Sequence, residues 1–232
     1  MSKVEYDAGQ FVLAVDDEGV ARALGDLSKK TPAVLKVAIN RTARQARKDV
    51  ISAAEARYAL TAKGREKLRR LKQRRTATNT NLVAELRQDD KGLPLDYAYF
   101  DHTPTVVRKG IDAVRNSPKY HAARVLKEES RKPLEAAGGR SKGFLVEFKS
   151  GHIGMVQRRL GVQSASSRTA RGYPRWRNAA GIVEYIETMQ RPGGSSMGRA
   201  VWERGVDQTA ADNLERFVEQ RIREVIDRAK KQ

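Results

Sequence analysis

Among the residues that could do chemistry, the three histidines come first: His102, His121 and His152 stand 19 and 31 residues apart. A helical metal pair needs ligands three or four residues apart, and none has a second histidine or a carboxylate at that step. There is no cysteine, so disulfides, thiolate metal sites and a thiol nucleophile are excluded, and no Gly-x-Ser-x-Gly turn of an acyl-transfer enzyme is expected. The stretch 138–143 (GGRSKG) superficially resembles a phosphate loop. It lacks the Gly-x-x-x-x-Gly-Lys-Ser/Thr spacing that wraps backbone N–H groups around a phosphate, and reads as a turn.

Glu147-Phe148-Lys149 is the best catalytic candidate. With an upstream acid such as Asp96, a carboxylate and a lysine two apart on a strand could hold Mg²⁺ beside a phosphodiester, as in metal-dependent nucleases. Strand alternation accounts for the pattern more simply: with Phe144, Val146 and Phe148 inward, positions 145, 147 and 149 face outward, and two of these three are polar. No catalytic residue, cofactor or metal is assigned.

What remains is charge. The chain carries 46 Lys and Arg against 28 Asp and Glu, a formal +18. Residues 41–75 hold 13 basic and 3 acidic residues, and residues 140–177 hold 9 and 1. Those two blocks contain the whole excess. Blocks of like charge repel unless an acidic partner or phosphate backbone lies against them. The candidate surface residues are Arg41, Arg44, Lys48, Arg65, Lys67, Arg69, Arg70, Lys72, Arg74 and Arg75 in the first block, and Arg158, Arg159, Arg168 and Arg171 in the second. Passive contact with DNA phosphates is the alternative function. Aromatics make up only 6% of the chain, which argues against a base-stacking reader.

The elements that must position these residues follow from periodicity. Apolar residues 9–15 precede an acidic helix start and a helix over 17–28. Thr31-Pro32 caps and opens a long helix over 32–57, whose Leu35, Ala38, Ile39, Thr42, Ala46, Val50 and Ala53 share one face while Arg41, Arg44 and Lys48 follow an exposed stripe. Residues 61–75 read as a short exposed helix or arm, with the basic arm extending over about 61–78. Leu82, Ala84 and Leu86 alternate in a strand at 81–87, with 93–100 as its hairpin partner. One strand is allowed near 122–126, a hairpin over 143–159, a mobile loop over 163–172, and a strand or short helix over 182–189. Ser195 or Ser196 is expected to cap a last helix with Leu214, Phe217, Val218, Ile222, Val225 and Ile226 inward. Glu219–Arg223 and Glu224–Arg228 are its four-residue ion pairs. Helices, hairpins and a closing helix make an α+β protein, read as a single domain over 1–232. Nothing early in the chain reads as a signal peptide or membrane span, so synthesis in the cytoplasm is expected.

Five stretches in order, PAVLKVAINRTARQARKDV (32–50), YALTAKGREKLRR (58–70), TNLVAELRQDDKGLPLDYAYF (80–100), SGHIGMVQRR (150–159) and the closing RFVEQRIREVIDR, resemble the minor tail protein Z family of long-tailed phages. That resemblance implies an α+β fold without enzymatic activity. It implies a tail-completion or neck subunit at the head-proximal end of the tail, located in the virion after synthesis in the host cytoplasm. The partners implied are copies of the chain in a sixfold ring, neighbouring tail-terminator, tail-tube and head–tail connector proteins, and, on one surface, DNA in the channel; no membrane is implied. A ring needs two different complementary patches per subunit, and two separated basic blocks suit that. The family's Gly-Pro-Ser turn before the last helix is replaced here by Arg191-Pro192-Gly193-Gly194-Ser195-Ser196. Residues 110–142 and 160–181 form longer excursions than the family core.

Overall fold

The computed structural model describes residues 3–7, 10–14, 17–89, 95–103, 108–109, 122–148, 153–159 and 185–231. The chain is α+β, as its periodicity predicts, with long helices near both ends and hairpin-rich, mostly antiparallel sheets. It falls into two compact units. One comprises residues 1–56, 66–93 and 192–232, the other 57–65 and 94–191.

The first unit begins with a hairpin of β1 (Lys3–Asp7) and β2 (Gln10–Ala14), followed by α1 (Asp17–Leu24). Asp17 and Glu18 lie in the first turn of α1, where the positive helix end favours them. Gly25, at φ +53°, ends it in the left-handed conformation that L side chains adopt with difficulty. A 3₁₀ turn (Gly25–Lys30) leads into α2 (Thr31–Arg57). The cap expected of Thr31 is not made. Thr31 is itself helical, and its hydroxyl is buried without a hydrogen-bond partner.

Along α2 the sequence-derived face is largely right. Leu35, Ala38, Ile39, Thr42, Ala46 and Val50 are buried, joined by Val34 and Ala43. Ala54 is buried where Ala53 was expected, because 3.6 residues per turn carries the stripe round by one position at the far end. Thr42 returns its hydroxyl to the Ala38 carbonyl at 3.0 Å, so burial leaves it satisfied.

Residues 61–75 are not one helix or arm. Helix α3 (Ala62–Leu68) ends, and β3 (Leu71–Arg75) pairs antiparallel with β4 (Ala84–Gln88). Leu68 and Leu71 are both buried, at a spacing that reads as helical in sequence although they sit on different elements. The sheet order is β1-β2-β4-β3. The expected hairpin between 81–87 and 93–100 therefore does not form: β4 is already paired on both sides, with β2 and β3.

The closing helix is broken. Helix α4 (Gly194–Val201) is followed by a wide turn (Trp202–Val206), with Gly205 at φ +120°, and then by α5 (Asp207–Lys230). Neither Ser195 nor Ser196 caps it; Gly193 holds that position with no side-chain cap. On α5, Leu214, Phe217, Val218 and Val225 are buried and Ile222 and Ile226 half-buried. Glu219–Arg223 forms, at 3.7 Å, while Glu224 takes Arg221 at 2.6 Å in place of Arg228. Arg221, Arg228 and the Gln220 amide together hold the Glu224 carboxyl below its ordinary pKa, with the Arg221 hydrogen bond foremost.

In the second unit, β10 (Phe144–Glu147) and β11 (Ile153–Arg159) form the expected hairpin, flanked by β12 (Tyr185–Thr188) antiparallel to β11 and β7 (Arg108–Lys109) parallel to β10. Alternation alone predicts one inward face, yet both faces are covered. Phe144, Val146 and Val156 pack with Phe148 and Ile186. Leu145 and Met155 pack with Tyr97, Ala98 and Ala123 on the other side. A smaller sheet, β6 (Asp101–Thr103), β8 (Ala122–Arg124) and β9 (Lys132–Pro133), includes the strand allowed near 122–126. The partner of β5 (Leu95–Asp96) is β13 (Gln190–Arg191), and residues 97–99 form a 3₁₀ turn where a strand was expected. The expected mobile loop 163–172 lies outside the described residues.

Candidate interaction surfaces

Buried Asp96 caps the 3₁₀ turn: its Oδ1 accepts from Ala98 N at 2.8 Å and from Met155 N at 2.7 Å. This carboxylate joins the turn to the β10–β11 hairpin. Among the described residues, no group of three or more His, Cys, Asp or Glu side chains is placed to hold a metal ion. Lys149, His121 and His152 lie outside those residues. His102 places Nδ1 2.7 Å from the Phe100 carbonyl oxygen. Residues 138–143 form a turn, as expected, with Gly138 and Gly139 at positive φ and Arg140 reaching Glu187 at 2.8 Å.

The letters Gly-x-Ser-x-Gly do occur, at Gly194-Ser195-Ser196-Met197-Gly198. A nucleophile elbow needs its serine on a sharp strand-to-helix turn. Ser196 is instead an exposed residue within regular helix α4.

The basic residues of the first block divide by what they touch. Arg41 is exposed but engaged by α5: its guanidinium lies 4.1 Å from the Phe217 ring centroid, and Nη1 donates to Gln220 at 2.9 Å. One and two turns on, Arg44 and Lys48 are exposed on the same helix, with no carboxylate partner among the described residues. Val37, 38% exposed, continues their line. Arg65 donates to the Leu60 carbonyl at 3.2 Å, Arg69 pairs with Glu55 at 2.9 Å, and Arg70 pairs with Glu66 at 3.4 Å. Lys67 is half-buried, and its carbonyl receives the amide of buried Gln88 at 2.8 Å.

Beyond them lies the sheet's outward face. On β4, Ala84, Leu86 and Gln88 are buried, which turns Glu85 and Arg87 the other way. On β3, Leu71 is buried and Lys72 exposed, and register places Lys72 directly opposite Arg87. A bulge after Gln73 leaves Arg74 and Arg75 both exposed. Asp89 receives Arg74 at 2.9 Å and Lys72 at 3.5 Å, and these cations, Arg74 first, hold its carboxyl below its ordinary pKa. Arg75 and Arg87 have no carboxylate partner among the described residues.

The buried side of β3 is anchored to α2 by residues the sequence did not flag. Asn40 donates Nδ2 to the Ala77 carbonyl at 2.9 Å, while its Oδ1 accepts from Ala77 N at 2.9 Å and Gln73 Nε2 at 3.1 Å. Arg47 donates Nε to the Leu71 carbonyl at 2.6 Å. The one available signal was an asparagine in mid-helix, where propensity disfavours it. Arg87 carries no signal in the sequence, because its cross-strand neighbour β3 has the apolar spacing of a helix.

In the second block, Arg158 lies 4.6 Å from the Phe144 ring centroid and is half-buried, and Arg159 reaches Glu187 at 3.5 Å. Arg168 and Arg171 lie outside the described residues. Comparison with known proteins returns no match to a family model, a curated protein or a solved structure.

Proposed function

We propose that this chain is a structural subunit of a phage virion: a tail-completion or neck protein that closes the head-proximal end of the tail and joins it to the head, acting by assembly and not by catalysis. The observation that carries the reading is the basic line on α2, which has no carboxylate partner among the described residues. Arg44 and Lys48 sit exposed on a helix of 27 residues, beside exposed Val37. A fixed helix face that mixes apolar and cationic side chains is suited to a complementary protein surface. The ordered resemblance to minor tail protein Z supplies the setting, a homo-oligomeric ring against tail-terminator, tail-tube and connector proteins. Particles assembled without the chain, viewed in negative stain, are expected to show incomplete tails or heads and tails left unjoined. Normal infectious particles would overturn the proposal.

A further inference from the structure

The outward face of the β3–β4 pair in the β1-β2-β4-β3 sheet differs in chemistry from the α2 line. At its β3–β4 side Lys72, Arg74, Arg75 and Arg87 are exposed, with Glu85 and Asp89 beside them, and no aromatic or aliphatic side chain lies among these six. Stable protein interfaces are built round an apolar or aromatic core with charge at the rim. Among its described side chains, this patch has no such core. Moreover, Lys72 and Arg87 stand directly opposite each other, a like-charge cross-strand pair that destabilises a sheet in isolation. An anion laid across the pair relieves that repulsion. Neighbouring strands lie about 4.8 Å apart and same-face residues about 7 Å apart along a strand, so the four cations are spaced closely enough to meet a repeating backbone of negative charge. Asp89 is shared by Lys72 and Arg74 and steadies both without neutralising them.

We propose that this sheet face binds the phosphate backbone of a nucleic acid without reading its bases, leaving the Val37/Arg44/Lys48 line of α2 for a protein neighbour. Its biological setting, DNA passing a ring of subunits, rests on the function proposed above; its chemistry does not. Base-blind binding follows from the described side chains: cations contact phosphates, and none of these residues offers a ring on which bases could stack.

The test uses the full chain and fluorescence anisotropy with two labelled duplexes of unrelated sequence, titrated between 50 and 200 mM salt. Both duplexes are expected to bind equally, with affinity falling steeply as salt rises. Lys72→Gln/Arg87→Gln should weaken binding at least tenfold and flatten the log–log salt slope by about two, since two phosphate contacts are lost. Lys72→Arg/Arg87→Lys should restore binding, and Arg44→Gln/Lys48→Gln should leave it within about twofold. Equal losses in the α2 and sheet variants would mean that only total charge matters, and would overturn the assignment. So would absence of binding at 50 mM salt, or tighter binding of poly-glutamate than of DNA, which would point to an acidic protein. Circular dichroism melts matching the wild type establish that each variant is folded. Failure of DNA binding alongside tail defects in particles lacking the chain would remove only this inference. DNA binding alongside normal particles would remove only the function proposed above.

Discussion

Asn40 offers the most direct test of how the first unit is held together. Its amide makes three hydrogen bonds, two of them to the N–H and C=O of Ala77, a residue 3% exposed. In Asn40→Ala each lost bond removes about 0.5–1.5 kcal/mol net, and buried backbone groups left unpaired cost more. Since Asn40 is half-buried, water replaces part of this, and alanine's better helix propensity returns about 0.6 kcal/mol. The expected net loss is about 2–3 kcal/mol. That corresponds to a fall of roughly 4–12 °C in the transition of a chain this size. Urea unfolding followed by tryptophan fluorescence measures it, with buried Trp202 in the same unit as a reporter. Arg44→Ala, on the exposed side of α2, should stay within about 0.5 kcal/mol of wild type. If Asn40→Ala is as stable as Arg44→Ala, the clamp contributes nothing and the account of how α2 holds β3 is wrong.

Three further outcomes follow. Asp101 is gripped by Arg131, through Nη2 at 2.7 Å, and by Arg124, through Nε at 2.7 Å, and these bonds, Arg131 first, hold its carboxyl below its ordinary pKa. A lowered folded-state pKa contributes stability that is present above the unfolded value of about 3.9 and lost as pH falls through the folded one. Asp101→Asn should therefore be less stable at pH 6 and show a shallower loss of urea midpoint between pH 4 and 2. Gly64→Ala should destabilise by more than about 2 kcal/mol in the same unfolding assay, because a Cβ there overlaps the Tyr99 carbonyl oxygen, which is backbone and cannot swing away. Arg44→Glu should impair assembly of particles, counted by negative stain, with thermal stability unchanged within about 0.5 kcal/mol; a lower melting temperature would mean that the exposed line is structural.

The sequence by itself determined what depends on local periodicity and composition. The α+β class, the span of α2 and its buried face, the β10–β11 hairpin and the two basic blocks are all readable from spacing, because helix and strand repeats leave their periods in the order of apolar residues. Tertiary structure decided what depends on the partner of each segment. Leu68 and Leu71 sit three apart, as on a helix, yet the chain turns between them and β3 pairs with β4; only the available edge of β4 selects that pairing. Alternation in β10 could not reveal that Leu145 is covered as well as Phe144 and Val146, because coverage of the second face comes from Tyr97, Ala98 and Ala123, distant in the chain. The same holds for charge. Arg41, Arg44 and Lys48 are equivalent in sequence, and it is Phe217 and Gln220, more than 170 residues away, that engage Arg41 and leave the other two exposed.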